Sequence, residues 1–70
     1  MIVISVNGES CEVPAELNLE SLLAWLNVPL DRIAVERNLE IVSRRLWAAT
    51  AIQPGDRLEL VHFVGGGSYA

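Results

Sequence analysis

Ile2, Ile4 and Val6 alternate with Val3, Ser5 and Asn7, the period-2 pattern of a strand with one buried face. Asn7-Gly8 supplies the two residues that best tolerate positive φ, as a tight hairpin requires. Residues 10–13 then predict the return strand, with Cys11 and Val13 on one face, and Pro14 ends it because proline cannot donate to a ladder. The period next changes. Leu19, Leu22, Leu23 and Leu26 recur at i, i+3, i+4 and i+7, the stripe of an amphipathic helix. Asn18 is its N-cap, Glu20 and Ser21 occupy the first turn, and Asn27 with Pro29 closes it, which predicts a helix over residues 18–27.

Residues 33–37 read as a third strand, Asn38 begins a turn, and residues 39–42 predict a short fourth strand. Ser43 is placed to cap a brief helical turn over residues 44–48. Pro54-Gly55-Asp56 is a strong turn signal, and residues 57–64 follow as the last strand, Leu58 and Leu60 alternating with Arg57 and Glu59. The order β-β-α-β-(β)-β predicts an α+β architecture in which a mixed sheet of four to five strands packs on one main helix. A hairpin, a helix and further strands match the ubiquitin-like β-grasp. The expected organisation is one domain over residues 1–64 and a glycine-rich tail over residues 65–70.

Composition narrows the chemistry. A chain of 70 residues buries only about 60% of its unfolded surface, so its core must be efficient. Cys11 is the single cysteine and His62 the single histidine; together they complete neither a disulfide nor a metal site. The apolar start lacks a basic n-region and is broken by Asn7-Gly8, unlike a signal peptide. No apolar run approaches the roughly 20 residues that cross a bilayer, and the expectation is a soluble, cytoplasmic protein. A net charge of −4 argues against nucleic acid and suits a partner with a basic surface. The five basic residues are Arg32, Arg37, Arg44, Arg45 and Arg57. Without lysine, the chain cannot carry isopeptide branches on its own side chains.

Gly65-Gly66-Gly67 follows the last strand directly. Glycine loses the most entropy on ordering, so three in succession need a reason. A flexible terminus or linker has this composition. So has a thin tail that enters a channel too narrow for side chains, its backbone gripped by a partner. Near the tail, Val61 and Phe63 lie opposite in phase to Leu60 and His62, so both faces of the strand are apolar there. That pattern marks Val61, Phe63, Leu60 and His62 as candidate docking residues, unless a helix or loop covers both faces. His62 has no nucleophile or orienting partner in the sequence, which disfavours a general base. Cys11 reads as a small buried hydrophobe. Trp47 should anchor the short helical turn on the sheet, Trp25 should be half-buried beside the leucine stripe, and Arg44-Arg45 should be a solvated pair.

The segment from Pro54-Gly55-Asp56 through His62-Phe63-Val64-Gly65-Gly66-Gly67 resembles the C-terminal signature of the ThiS family of thiamine-biosynthesis sulfur carriers. The Asn7-Gly8 hairpin, the leucine-rich helix and Val42-Ser43-Arg44-Arg45-Leu46-Trp47 are similar to that family at corresponding places. The resemblance implies a carrier that is not itself an enzyme and binds no cofactor. A ThiF-like adenylyltransferase would use MgATP to activate the terminal glycine, Gly67 or Gly66, with Gly65 threading the channel. A sulfur donor such as a cysteine desulfurase relay would convert the adenylate to a thiocarboxylate. Thiazole synthase (ThiG) would take the sulfur. Ser68-Tyr69-Ala70 departs from the family, whose chains normally end at the glycines. Trimming by a protease, a remnant of cloning, or a carrier that lost its activity would each account for it. The alternatives to a thiamine carrier are a carrier resembling the molybdopterin-synthase small subunit or one serving another pathway, and a ubiquitin-like interaction module with the tail as linker. Relatives of the molybdopterin type often carry proline before their glycines, where this chain has His62-Phe63-Val64.

Overall fold

The computed structural model describes residues 1–63; the proposed tail, Gly65 to Ala70, and Val64 lie outside the described residues. Strand β1 (Ile2–Val6) turns through Asn7 (φ 50°) and Gly8 (φ 84°) into β2 (Glu9–Val13), with Val6 opposite Glu9. This is the two-residue hairpin that Asn-Gly predicts, since both turn residues adopt the positive φ of a type I′ turn. Helix α1 (Leu19–Trp25) follows, then β3 (Ile33–Arg37), β4 (Glu40–Ile41), a 3-10 segment (Arg44–Ala49) and β5 (Arg57–His62). The five strands form one mixed sheet in the order β2-β1-β5-β3-β4. The two central strands, β1 and β5, run parallel, and every other pair is antiparallel.

The helix is shorter than the expected 18–27, for a local reason. Its start is as read: Asn18 Oδ1 accepts from the Ser21 N–H at 2.8 Å, and Ser21 Oγ accepts from the Asn18 N–H at 3.0 Å, a reciprocal capping box. Its end is a Schellman motif. Asn27 takes φ 66°, its N–H donates to the Ala24 carbonyl, and the Val28 N–H reaches back to the Leu23 carbonyl, both at 3.0 Å. Val28 is thereby folded onto the core beside Leu23.

The fourth strand is likewise shorter than residues 39–42. Register places Arg37 opposite Glu40, which leaves Asn38 (φ 53°) and Leu39 (φ 73°) as a second two-residue turn. Leucine is a poor residue there, because its Cβ crowds the carbonyl in a left-handed conformation. Asn38 imposes the turn: its N–H donates to the Arg57 carbonyl, its Oδ1 accepts from the Arg57 N–H, and its Nδ2 donates to Asp56 Oδ1. Leu39 is left 79% exposed at the tip.

Ile4, Val13, Leu19, Leu22, Leu23, Ile33, Val35, Trp47, Ile52 and Leu58 form one buried cluster between the sheet and α1. Trp47 anchors the 3-10 segment as expected, its Nε1–H donating to the Val42 carbonyl at 3.1 Å. The Arg44 guanidinium lies 5.2 Å from the Trp47 ring centroid, so one of the two expected solvated arginines also covers the indole. Trp25 is 48% exposed, as read from the sequence, whereas Cys11, expected to be buried, is only half-buried against the core. The strap after the 3-10 segment is tied to the start of α1 by the Leu19 N–H to the Thr50 carbonyl and the Ile52 N–H to the Leu17 carbonyl. Among the described residues, no helix is long and apolar enough to cross a membrane.

One buried carboxylate closes the end of the sheet where β5 begins. Pro54 and Gly55 (φ 84°) form a turn in which the Asp56 N–H donates to the Gln53 carbonyl and the Gly55 N–H to the Val3 carbonyl. Asp56, 5% exposed, accepts from the Gln53 N–H and Arg37 Nε on Oδ2, both at 2.9 Å, and from Asn38 Nδ2 on Oδ1 at 3.1 Å. Burial alone pushes this carboxyl up. The hydrogen bonds from Gln53, Asn38 and Arg37, together with the charge of Arg37, outweigh it and hold the pKa below the ordinary 3.8. The stability this provides is complete above 3.8 and is lost as pH falls through the still lower folded value. Asp56→Ala is expected to cost about 2–4 kcal/mol at neutral pH in urea unfolding. The gap from wild type should narrow as the pH is taken from about 5 to about 2, and a constant gap would refute the assignment.

Candidate functional site

The route to the glycines is β5, and the fold treats its two faces differently. Leu58 is fully buried under α1. Leu60, next on that face, is half-buried and packs against the same core. His62 ends that row opposite Ile33 and is exposed. On the helix-free face lie Arg57, Glu59 and Val61, because Arg57 pairs with Ser5 and Val61 with Ala34, whose side chains point away from the core. Val61 is 48% exposed and no element covers it among the described residues. Glu59 and Glu36 stand directly opposite each other beside it. Phe63 is half-buried, and its N–H donates to the Arg32 carbonyl at 3.1 Å.

The four candidate docking residues therefore do not form one patch. Val61 belongs to the open face and His62 to the strand end. Leu60 serves the core. Phe63 sits where the strand leaves the sheet. The apolar character on both faces has two causes: packing on one side and an uncovered surface on the other. Gly65, Gly66 and Gly67 lie outside the described residues.

Asn7 was read from the sequence only as a hairpin residue. Its Oδ1 also accepts from the Leu60 N–H at 2.7 Å, across 53 positions of sequence. Nothing in a local pattern signals a contact of that range.

A groove of about 520 Å³ lies at the opposite end of the sheet, between Ile2, Leu17, Asn18, Ala49, Ala51 and Pro54. Its walls are mainly aliphatic, Glu16 is its one acidic residue, and it holds no nucleophile with a base beside it. Among the described residues, no three of the His, Cys, Asp and Glu side chains gather as metal ligands. The end of β5 lies at the other end of the sheet from this groove.

A five-stranded mixed sheet with β1 and β5 parallel at its middle and one helix across it defines a ubiquitin-like β-grasp domain. Residues 4–67 match the ThiS family model, and the chain belongs to the ThiS family. It is 30% identical over 66 residues to the sulfur carrier protein ThiS of Bacillus subtilis, covering 93% of this chain and all of that protein. The crystal structure of the thiamine biosynthesis protein ThiS from Geobacter metallireducens superposes with a TM-score of 0.83 at 34% identity, over 93% of this chain and 99% of that one. The chain is also 48% identical over 63 residues to a thiazole synthase of Paramagnetospirillum magneticum. That match covers 90% of this chain but only 19% of the synthase, so the chain spans about a fifth of that relative's length.

The split of β5 into a structural and an open face is directly testable. Val61→Ser should change the free energy of unfolding by less than about 0.5 kcal/mol, as for surface positions generally. Leu60→Ser should cost about 2 kcal/mol or more, because it removes apolar contacts and leaves a hydroxyl against the core. Equal effects of the two in chemical denaturation would contradict the assignment of faces.

Proposed function

We propose that this chain is a sulfur carrier that works with thiazole synthase in thiamine biosynthesis, its working group a glycine carboxyl exposed at Gly67 or Gly66. The observation that carries the reading is the extent of the family match, which runs through β5 and stops at Gly67. Ser68-Tyr69-Ala70 falls outside it. A tyrosine cannot follow glycines into a channel of glycine width, so the tail works once these three residues are removed.

The chemistry follows from the weakness of a carboxylate as an electrophile. A ThiF-like adenylyltransferase brings MgATP; the glycine carboxylate attacks the α-phosphorus and pyrophosphate leaves, giving an acyl adenylate. The terminal persulfide sulfur of a donor protein, loaded by a cysteine desulfurase, attacks the acyl carbon and AMP leaves. Two equivalents of a thiol reductant cleave the resulting acyl disulfide to a thiocarboxylate and the donor thiol, and are themselves oxidised to a disulfide. The thiocarboxylate sulfur then passes to the thiazole precursor on thiazole synthase. The carrier itself brings a docking surface and a co-substrate carboxyl, with no acid–base group of its own. The length of the relatives named thiazole synthase, about five times the matched segment, supports a tie between such a domain and that enzyme. The reading places the carrier in the cytoplasm, where a lone cysteine stays reduced.

Intact-mass analysis tests this with chains ending at Gly67, at Gly66 and at Ala70, each incubated with the cognate adenylyltransferase, MgATP and a sulfur source. A glycine-ended form should gain the mass of one oxygen-to-sulfur exchange, and the Ala70 form should not. Failure of every form would end the carrier reading. Reaction of the Ala70 form would overturn the requirement for trimming.

A further inference from the structure

The last hydrogen bond on the β1 side of β5 is not made by a strand. The Asn7 N–H donates to the Leu58 carbonyl at 2.8 Å as β1 ends, and the chain then turns away through Gly8 into β2. Two residues further along β5, the Leu60 N–H faces the same side, and Asn7 Oδ1 accepts it at 2.7 Å. A single residue thus holds β5 at two successive points, once as backbone donor and once as side-chain acceptor. On the other edge, β3 accompanies β5 as far as the pair Ile33 and His62, and the Phe63 N–H is bound by the Arg32 carbonyl. At Leu60 the strand is therefore held between β3 and one carboxamide, and from Val61 to Phe63 it is held by β3 and Arg32. Gly65 stands five positions beyond Leu60 in the sequence.

The hairpin itself does not need this carboxamide. Its geometry asks only for positive φ at position 7, which glycine adopts at least as readily as asparagine. The bond is solvent-exposed, where one hydrogen bond adds little to global stability. Its specific effect is local to the outgoing strand: it holds the β1-side edge of β5 two residues beyond the last bond from the β1 side's own backbone. Order established before a partner captures the tail need not be imposed during capture, which strengthens productive binding.

The geometry points to Asn7 as a positioning residue for tail capture, holding β5 extended through Leu60 so that the glycines reach the partner's active site along one path. This rests on the sulfur-carrier reading, and the experiment separates the two. Asn7→Gly keeps the turn and deletes the acceptor; Asn7→Asp keeps both. A synthetic chain with an ester in place of the Leu60 amide deletes the donor and leaves Asn7 intact. All are made in the glycine-ended form that reacts in the mass experiment, with urea midpoints taken to compare their folding.

For Asn7→Gly and for the ester, KM for the carrier in adenylation should rise about fivefold with kcat unchanged, the loss of one hydrogen bond's worth of binding. Asn7→Asp should stay within about twofold of wild type, and Leu60 amide exchange should quicken in Asn7→Gly alone. An unchanged KM in Asn7→Gly with faster Leu60 exchange would reduce the bond to local structure and overturn the inference. So would failure of Asn7→Asp to retain the wild-type KM. A wild-type chain that accepts neither AMP nor sulfur ends the carrier reading first, and the positioning role with it.

Discussion

Asp56 stands where the 53–56 turn, the end of β3 and the start of β5 meet, and its carboxylate accepts one hydrogen bond from each of Gln53, Arg37 and Asn38. An unpaired carboxylate at that depth would carry a desolvation penalty of several kcal/mol. With three donors and an adjacent guanidinium the same group becomes a fixed point. Its consequences spread outward. Asn38, held by Asp56, binds both backbone groups of Arg57 and so sets the register of β3 against β5. The Asp56 carbonyl accepts the Ser5 N–H and thereby sets β1 beside β5. The central pair of the sheet, and the phase in which β5 presents its residues to core and solvent, follow from one side chain and its own peptide group.

That phase decides what the protein shows to others. A shift of β5 by one residue would send Leu58 and Leu60 to the helix-free face and bring Glu59 and Val61 under α1. Burying Glu59 without a partner would be prohibitive. The register leaves Val61 and Ala34 as a small apolar area beside the Glu36–Glu59 pair, on the face that no helix covers. Like charges directly opposite on a sheet weaken it slightly. The two glutamates give that face an acidic edge, of the kind that would suit a partner with basic residues.

Much of this fold was legible in the sequence because its signals are local. Asn7-Gly8, the leucine stripe, Asn18 and Pro54-Gly55 each determine a turn, a face or a cap within a few residues, and β1, β3 and the core leucines stand where period and phase put them. The boundaries that moved did so for reasons that cross the chain. Leu39 reads as strand from composition, yet it lies in a left-handed turn because Asn38 is held from 18 and 19 positions away. Asn27 reads as a helix breaker, but only the packing of Val28 on the core shows why the helix stops as early as Trp25. Of the site, the direction of β5 and the exposure of Val61 were readable. The place of Leu60 on the core face was readable from its alternation with Glu59, whereas the bond from Asn7 to its amide depends on which strands become neighbours and had no sequence signal.

The division of labour between domain and tail has a physical basis. A carboxylate presented for adenylation must enter a site that closes around phosphate and excludes water, so whatever bears it must be narrow. Glycines meet that need but bring no binding surface and the largest entropy loss on capture. On the proposed reading, the domain before them compensates on the first count: the sheet face that no helix covers offers contact area. If the tail is captured as proposed, the atoms that order its approach lie at the edge of β5, where Asn7 binds the Leu60 amide, outside both the core and the reactive group.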